Sequence, residues 1–408
     1  MRRVRFSHGS RPAEGYAVTT AVIGSGIAGL SVAFELMRRG RGVVLVDADH
    51  AGRATDAGAG IISGIGTRRT TENVLEFSMR SAEHYVKLVH DLATKGRDTS
   101  FYRTAGEFLI ALDDSEAARL EDLHAWVSTA VGTYGSVGVG VPQMLDRAET
   151  TRRFPLFSPR AQGVLLPDVG QIDGRALRRL LLDEIRSAGS DVVAGRAELG
   201  QSSDGMVTVT VDGRTVTADD VVVAAGAWSS ELLSAIVEPG FVGPQRGQIM
   251  HLRLSGATAH PSANGFRSYY LLSFANDRLV VGATRENDSG FDARTTTSGL
   301  EAVLAAGRDM VPTIDDAELV EVRVGIRPHS ADGLPIVGRV PGVPNLWVAT
   351  GYGPQGLTLG TFIGHELAAE MVGGTSAIPA TFRPDRLTPR MDPREPPKPH
   401  SGSSPKAG

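Results

Sequence analysis

The chain has 408 residues, of which 41% are hydrophobic and 22% are charged, and its formal net charge is −4. This composition predicts a globular protein of two intertwined domains and gives no electrostatic support for a nucleic-acid or anionic-membrane partner. The absence of cysteine excludes disulfides, thiolate metal sites, a cysteine nucleophile and a flavin linked through cysteine. No apolar run approaches the ~18 residues of a membrane-spanning helix. Residues 1–16 lack the apolar centre of a signal peptide and predict a flexible leader on a cytoplasmic protein.

Residues 17–49 carry the most specific local pattern in the chain. The apolar run 17–23 predicts a buried parallel strand, and Gly24, Gly26 and Gly29 follow it with the spacing GxGxxG at the start of a helix. A second apolar strand, 43–46, ends in Asp47. Strand, glycine turn, helix, strand and acid together predict a dinucleotide site, with the pyrophosphate at the helix N-terminus. An acid after the second strand favours FAD or NAD over NADP.

The next elements alternate between helices and short strands. A glycine-rich loop at 52–66 precedes a predicted helix at 72–95, a strand pair at 101–112 and an amphipathic helix at 115–130. Another helix is ended by Gly189. Residues 206–217 predict a β-hairpin around Asp212-Gly213, and 220–229 predict a buried strand that runs into a glycine turn. A hairpin followed by such a strand is typical of FAD folds, so we predict FAD as the cofactor.

The C-terminal half predicts a second sheet and a second glycine-loop helix. The segments 244–254, 268–274 and 277–286 resemble strands of a mixed or antiparallel sheet, and residues 300–309 a helix. Residues 345–374 predict a strand, a glycine loop and a helix. From residue 383 the chain is rich in Pro, Arg and Ser, which predicts a disordered tail over 383–408.

Seven short motifs occur in an order and spacing that are specific together. They are the GxGxxG turn with Asp47, ATDAGAGII from residue 54, VVVAAGAWS from 221, PQRGQ from 244, RLVVGATRE from 278, VGIRPHSADGLPIVG from 324 and ATGYGPQGLTLG from 349. Over residues 18–386 the chain resembles the FAD-dependent D-amino acid oxidase superfamily, in the branch of glycine oxidase, sarcosine oxidase and D-amino acid dehydrogenase. The resemblance implies an α/β fold, with a Rossmann-like FAD-binding domain of the glutathione-reductase type and an α+β substrate domain that contains a mixed or antiparallel sheet. We assign 17–95, 150–243 and 321–382 to the first domain and 96–149 and 244–320 to the second.

The resemblance also implies which residues hold a non-covalent FAD. Around the pyrophosphate, ribose and phosphate–ribitol chain these are Gly24, Ser25, Gly26, Ile27, Ala28, Gly29, Asp47, Ala48 and Thr55. Beside the isoalloxazine edge they are Ala57, Gly58, Ala59, Gly60 and Ile61, and along the adenine and its ribose Ala197, Ala224, Ala225, Gly226 and Trp228. Gly353, Pro354, Gln355, Gly356, Leu357 and Thr358 would wrap the pyrimidine end, with the following helix aimed at it. No metal site is expected.

Two residues match the substrate-binding positions of this family. Arg327 matches the arginine that grips a carboxylate through two parallel hydrogen bonds, and Tyr270 matches a tyrosine that assists it. Arg323 is a rival on the same strand face, and Arg246 either joins the site or braces the domain junction. Pro354 stands where some members carry a basic residue, which leaves the substrate open.

These assignments predict oxidation of the C–N bond of a small amino acid, a D-amino acid or a glycine-like one. A hydride would leave the α carbon for flavin N5, and the imine would hydrolyse to a keto acid. The alternatives are an N-methyl or cyclic amino acid oxidase, a 2-hydroxy acid dehydrogenase, and a catalytically silent flavin-bound regulator or partner subunit. Oxygen or another electron acceptor would reoxidise the flavin, and a homo-oligomer is possible. We expect neither a nucleic-acid partner nor an integral membrane segment.

Overall fold

The computed structural model describes residues 17–66, 70–257 and 259–386. The predicted leader lies outside these ranges, as does the predicted tail from residue 387 onward. The start predicted for that tail is too early, because Pro384–Arg386 form a 3₁₀ turn. Just before that turn, Arg383 pairs with Glu370 at 2.8 Å.

Twenty strands occur in the described residues. They are β1 Thr19–Ile23, β2 Gly42–Asp47, β3 Ile61–Ile62, β4 Tyr102–Thr104, β5 Glu107–Ala111, β6 Gln143–Leu145, β7 Gln162–Leu166, β8 Gly170–Ile172, β9 Asp191–Ala194, β10 Ala197–Gln201, β11 Val207–Val211, β12 Arg214–Val216, β13 Asp220–Val223, β14 Val242–Arg253, β15 Ser262–Gly265, β16 Tyr270–Ser273, β17 Arg278–Gly282, β18 Glu318–Ser330, β19 Ile336–Arg339 and β20 Leu346–Thr350.

Ten α-helices connect or cover these strands within the same described ranges. They are α1 Ile27–Arg38, α2 Ala54–Ala57, α3 Glu72–Thr94, α4 Asp114–Ala117, α5 Leu120–Tyr134, α6 Arg147–Arg153, α7 Gly174–Ser187, α8 Ser229–Leu232, α9 Thr297–Met310 and α10 Gly356–Met371. None of them combines the length and the apolar character that a membrane-crossing helix needs.

A six-stranded sheet with the order β19-β20-β13-β1-β2-β9 forms the first layer system. Its strands are parallel except for the edge strand β19, and β1 is buried throughout, as the apolar run at 17–23 predicts. Helices α1 and α10 pack on one face, where Val22, Leu30 and Ile363 share a core. The three-stranded sheet β10-β11-β12 covers the other face around Val209 and Val223.

An eight-stranded mixed sheet with the order β18-β14-β17-β16-β15-β5-β7-β6 forms the second layer system. Only the β15–β5 pair is parallel. Two strands assigned by sequence to the FAD-binding domain, β7 and β18, belong to this sheet instead. The reason is long-range pairing, since Phe108 pairs with Leu165 and Gln245 with Arg327. The segments 150–243 and 321–382 therefore cross between the two sheets.

Candidate functional site

A cavity of about 930 Å³ lies between the two large sheets. Its walls include the carboxyl ends of the parallel strands, represented by Ile23, Asp47 and Thr350. From the eight-stranded sheet, Tyr270 and Arg327 reach the opposite end. Ligands of open α/β sheets bind at the carboxyl ends of the strands, so this cavity is the candidate ligand-binding site.

The cavity brings together nearly all the residues that the sequence singled out. The lining residues among them are Gly24, Gly26, Ile27, Ala28, Asp47, Ala48, Thr55, Ala57, Gly58, Ala59, Gly60, Ile61, Ala197, Ala224, Ala225, Gly226, Trp228, Tyr270, Arg327, Gly353, Pro354, Gln355, Gly356, Leu357 and Thr358. Ser25 and Gly29 do not line it. Ser25 holds other parts of the site, because its backbone N–H donates to Asp47 and its hydroxyl accepts from Arg178. A Cβ on Gly29 would lie 1.9 Å from the Gly24 carbonyl oxygen. The missing side chain of Gly29 therefore lets α1 pack closely against the glycine turn.

The glycine turn and α1 form an anion-binding arrangement. Gly24 has φ of +110°, and a Cβ there would lie 2.3 Å from the carbonyl oxygen of Ala224. No side chain caps α1 at Gly26, and the Ile27 N–H donates to Thr55 Oγ1 at 2.9 Å. Because Oγ1 accepts that bond, the Thr55 hydroxyl proton is free to donate to a ligand oxygen. A helix N-terminus of this kind suits a phosphate.

Asp47 sits at the end of β2 as an ionised acceptor. Its Oδ2 accepts from Ser25 N–H at 2.5 Å, and its Oδ1 accepts from Asp49 N–H and Arg53 Nη2, both at 2.7 Å. Burial raises the pKa of this carboxyl, but Arg53 and the backbone donors outweigh burial and hold the pKa below its usual range. Arg53 also lines the cavity and is a site residue that the sequence reading missed.

The N-terminus of α10 lines the cavity through Gly356, Leu357 and Thr358. No side chain caps this helix, and Thr358 Oγ1 donates to the Ile61 carbonyl oxygen at 3.1 Å, which ties α10 to β3. Tyr352 was also missed by the sequence reading. The residue lines the cavity, and its hydroxyl is buried with no partner among the described residues. A buried hydroxyl without a partner calls for a ligand or water at this place.

Arg327 is held by the neighbouring strand β14 and by the segment that follows β17. Its Nη1 donates to the Thr284 carbonyl oxygen at 2.9 Å and to Gln245 Oε1 at 3.3 Å. Gly247 on β14 leaves the room, since a Cβ there would lie 2.3 Å from Arg327 Nη2. The guanidinium is thus held in one plane at the end of the cavity, the geometry that bidentate carboxylate binding requires.

Tyr270 stands next to this guanidinium on β16. Burial raises the pKa of its hydroxyl, while Arg327 and Arg285 pull the pKa down in part and Arg327 also hydrogen-bonds to it. The net shift is upward, so Tyr270 keeps its proton and can donate it at neutral pH. A Cβ on Gly282 would lie 2.8 Å from the Tyr270 hydroxyl oxygen, so this glycine gives Tyr270 its space.

The two alternative arginines lie elsewhere. Arg323 does not line this cavity and pairs with Glu321 at 2.8 Å. Arg246 is buried and forms ion pairs with Glu286 at 2.6 Å and with Asp292 at 3.1 Å. These contacts agree with the structural role, and not the site role, that the sequence analysis offered for Arg246. Arg285 does line the cavity, although the sequence reading named only the motif around it.

A parallel sheet with a glycine-turn phosphate cradle, opposed by a mixed sheet that offers an arginine and a tyrosine, defines a flavin-dependent oxidoreductase. The glycine cradle at Gly24 and the N-termini of α1 and α10, which both line the cavity, fit a bound FAD. The family model "FAD dependent oxidoreductase" (DAO) matches residues 19–370, and the chain belongs to that family.

Individual relatives of the chain include glycine oxidases and an iminodiacetate oxidase. It is 28% identical to glycine oxidase of Pseudomonas putida, over 89% of this chain and 97% of that protein. Among solved structures it resembles iminodiacetate oxidase of Chelativorans sp. BNC1, with 34% identity, a TM-score of 0.84 and coverage of 91% of this chain and 98% of that one. It also resembles glycine oxidase of Geobacillus kaustophilus, with 25% identity, a TM-score of 0.80 and coverage of 91% and 99%. The predictions of family, fold class and FAD as the cofactor are confirmed.

Proposed function

We propose that this FAD-dependent oxidoreductase oxidises the C–N bond of a small α-amino acid whose carboxylate binds Arg327. The observation that carries the proposal is the anchored guanidinium of Arg327 beside a protonated Tyr270 in the same cavity. When bound, FAD accepts the hydride that leaves the α carbon. The resulting imine hydrolyses to a keto acid.

The protein residues would act mainly through orientation. Because Arg327 Nη1 donates to the Thr284 carbonyl oxygen, the plane of the guanidinium is already set. The remaining N–H groups can therefore bind the two carboxylate oxygens without reorienting the side chain. The Tyr270 hydroxyl adds a third donor to the same carboxylate. Holding the carboxylate fixes which α C–H bond faces the flavin, which is the contribution that positioning makes to rate.

A second candidate substrate is an N-carboxymethyl amino acid, which carries two carboxylates. Arg285 lines the same cavity and is close enough to Tyr270 to lower the pKa of that hydroxyl electrostatically. A second guanidinium near the first favours a second carboxylate on the substrate. This proposal is also supported by the 34% identity to an iminodiacetate oxidase. N-methyl and cyclic amino acids remain alternatives with one carboxylate, and 2-hydroxy acids would need the same arginine.

Anaerobic flavin bleaching tests both candidates. The panel holds glycine, D-alanine, sarcosine, proline, iminodiacetate and lactate, and the proteins are the wild type, Arg327→Ala and Arg285→Ala. We expect an amino acid to bleach the wild type, and Arg327→Ala to need a concentration about 10- to 100-fold higher, since hydrogen bonds to charged groups contribute about 1.5–3 kcal/mol. A preference for iminodiacetate that Arg285→Ala removes would support the second candidate. A yellow wild type that no amino acid bleaches would overturn the proposal. Where bleaching occurs, admission of oxygen separates an oxidase from a dehydrogenase.

A further inference from the structure

Glu107, the first residue of β5, is a buried carboxyl that the proposed mechanism has not used. It is 0% exposed, neither carboxylate oxygen makes a hydrogen bond of good geometry among the described residues, and the side chains that interact with it, Ser63 and Asn264, are uncharged. Buried carboxyls that only stabilise a fold are normally hydrogen-bonded or paired with a cation. An unpartnered one therefore suggests a group that exchanges its proton during function.

The surroundings of Glu107 connect it to the cavity. Strand β5 lies between β15 and β7, and Glu107 is in register with Ser262 of β15. Two polar side chains lie against the carboxyl, Ser63 from the loop after β3 and Asn264 from β15. Both of them line the cavity, and Asn264 is the register partner of Tyr270. Glu107 is thus one side chain removed from the substrate end of the site.

Within residues 17–66, 70–257 and 259–386, no cation pairs with Glu107. Strands β7 and β15 and the loop 61–66 contain no charged residue. The nearest cation along the chain, Arg103, is held by Gln171 and by the carbonyl oxygens of His260 and Ser273. Burial raises the pKa of Glu107 to about 7, with Ser63 and Asn264 acting weakly in the other direction.

The charged and titratable groups that face the substrate end of the cavity are of a different kind. Arg327 and Arg285 are cations, and Tyr270 and Tyr352 keep their protons because burial raises the pKa of each hydroxyl. None of these four can take a proton from a substrate near neutral pH. A carboxyl that titrates near neutrality directly behind the lining residues Ser63 and Asn264 is matched to that task.

We propose that Glu107 accepts, through the Ser63 hydroxyl, the proton that a substrate ammonium group loses before its α C–H bond breaks. The inference rests on the proposed function, because only amine oxidation needs a neutral amine. The ammonium N–H bond breaks as its proton passes to Ser63 Oγ, and the Ser63 O–H proton passes to the Glu107 carboxylate. The nitrogen keeps the electron pair, and no atom is oxidised or reduced in this step. The Ser63 hydroxyl donates to the Ile65 carbonyl oxygen, so it must rotate toward Glu107 for the transfer.

The test compares Glu107→Gln with the wild type in the FAD-bound protein. The rate of anaerobic flavin reduction is measured across pH with glycine and with iminodiacetate. In the wild type the rate should fall as pH drops through about 7, where Glu107 becomes protonated. In Glu107→Gln we expect a rate about 10²-fold lower at neutral pH, a difference that shrinks toward high pH as free amine becomes abundant. Ser63→Ala should change the profile in the same direction.

A second readout does not depend on turnover. Infrared difference spectra of the protein without substrate should show a carboxylic acid C=O band that appears as pH drops through about 7 and is missing in Glu107→Gln. Glu116→Gln is the matched control, because Glu116 is also buried beside the same sheet but accepts from Leu112 N–H and Arg267. It should change stability and leave the pH profile of flavin reduction in place.

The failures of the two proposals can be told apart. A wild type that no amine reduces overturns the proposed function, and Glu107 then has no proton to accept. A wild type that oxidises an amine while Glu107→Gln keeps its pH profile overturns the role of Glu107 alone. Absence of the titrating infrared band has the same consequence.

Discussion

The position of the Arg327 guanidinium depends on the missing side chain of Gly247. In Gly247→Ala the new methyl carbon would lie 2.3–2.7 Å from the guanidinium atoms. These atoms are the far end of a flexible side chain, so β14 can keep its position while the Arg327 guanidinium is displaced. We expect KM for the amino acid substrate to rise at least about tenfold, because a displaced guanidinium loses charge-assisted hydrogen bonds. Steady-state kinetics and a melting curve measure the two effects separately.

Gly243→Ala is the matched control for that variant. Gly243 lies on the same strand, β14, and a Cβ there has open space around it. It should leave KM unchanged. A Gly247→Ala protein with unaltered KM would show that Arg327 does not hold the substrate carboxylate.

The sequence identifies the cavity residues better than it identifies their partners. Glycine turns and the acid after β2 are local features, so the lining residues near Gly24 and Asp47 could be named in advance. Arg285 and Tyr352 stand inside recognised motifs, but the direction of each side chain depends on neighbouring strands that the sequence does not order. The roles given to Arg327 and Tyr270 stay predictions until kinetics test them.

Helices α1 and α10 approach each other through small residues, and both begin at the cavity. A Cβ on Gly364 would lie 2.5–2.6 Å from Ser31 atoms and 2.8 Å from the backbone nitrogen of Val32. Gly364→Ala must therefore push the two helices apart, at a cost of about 1–3 kcal/mol in the free energy of unfolding. Because the N-termini of α1 and α10 line the cavity and move with the helices, FAD affinity should also fall. Urea unfolding and FAD titration measure the two effects.

Gly132→Ala is the matched control for Gly364→Ala, because it is also a glycine-to-alanine change inside a helix. Gly132 lies in α5, and nothing stands within 4 Å of a Cβ built there. Alanine should raise the free energy of unfolding by about 0.5–1 kcal/mol without changing FAD affinity. If Gly364→Ala behaved like Gly132→Ala, the close packing of α1 on α10 would not position the site.

Elements could be predicted from the sequence where their signals are local. The helix at 72–94 and the hairpin around Asp212-Gly213 follow from periodicity and turn residues. The sheet to which β7 and β18 belong could not be predicted in the same way. Gln245 and Arg327 pair across 82 residues of chain, and no local pattern encodes that choice.

At the scale of the whole molecule, a buried histidine in one layer system and a half-buried histidine in the other make stability sensitive to acid. His251 lies on β14, is 2% exposed, and has no hydrogen-bond partner for either ring nitrogen among the described residues. Burial, Arg323 and Arg278 lower its pKa to about 3, with Glu321 acting weakly in the other direction. In α3, burial and His365 lower the pKa of His84 to about 4.

Both histidines shift stability in the same direction. Each has a lower pKa in the folded chain than the ordinary histidine value of 6.5, so between about pH 4 and 6.5 the unfolded chain binds more protons. The free energy of unfolding should therefore fall as pH drops below 6.5, by up to about 1.4 kcal/mol per pH unit for each histidine. His251→Phe removes one titrating group and should make that decline less steep between about pH 4 and 6.

The effects of the two histidines on the free energy of unfolding should be additive, because His84 lies on α3 and His251 on β14, in different layer systems. Urea unfolding of His251→Phe, His84→Phe and the double variant across this pH range measures the slopes. His90→Phe, on the exposed side of α3, controls for the substitution itself. A decline in His251→Phe as steep as in the wild type would mean that His251 is already charged in the folded protein.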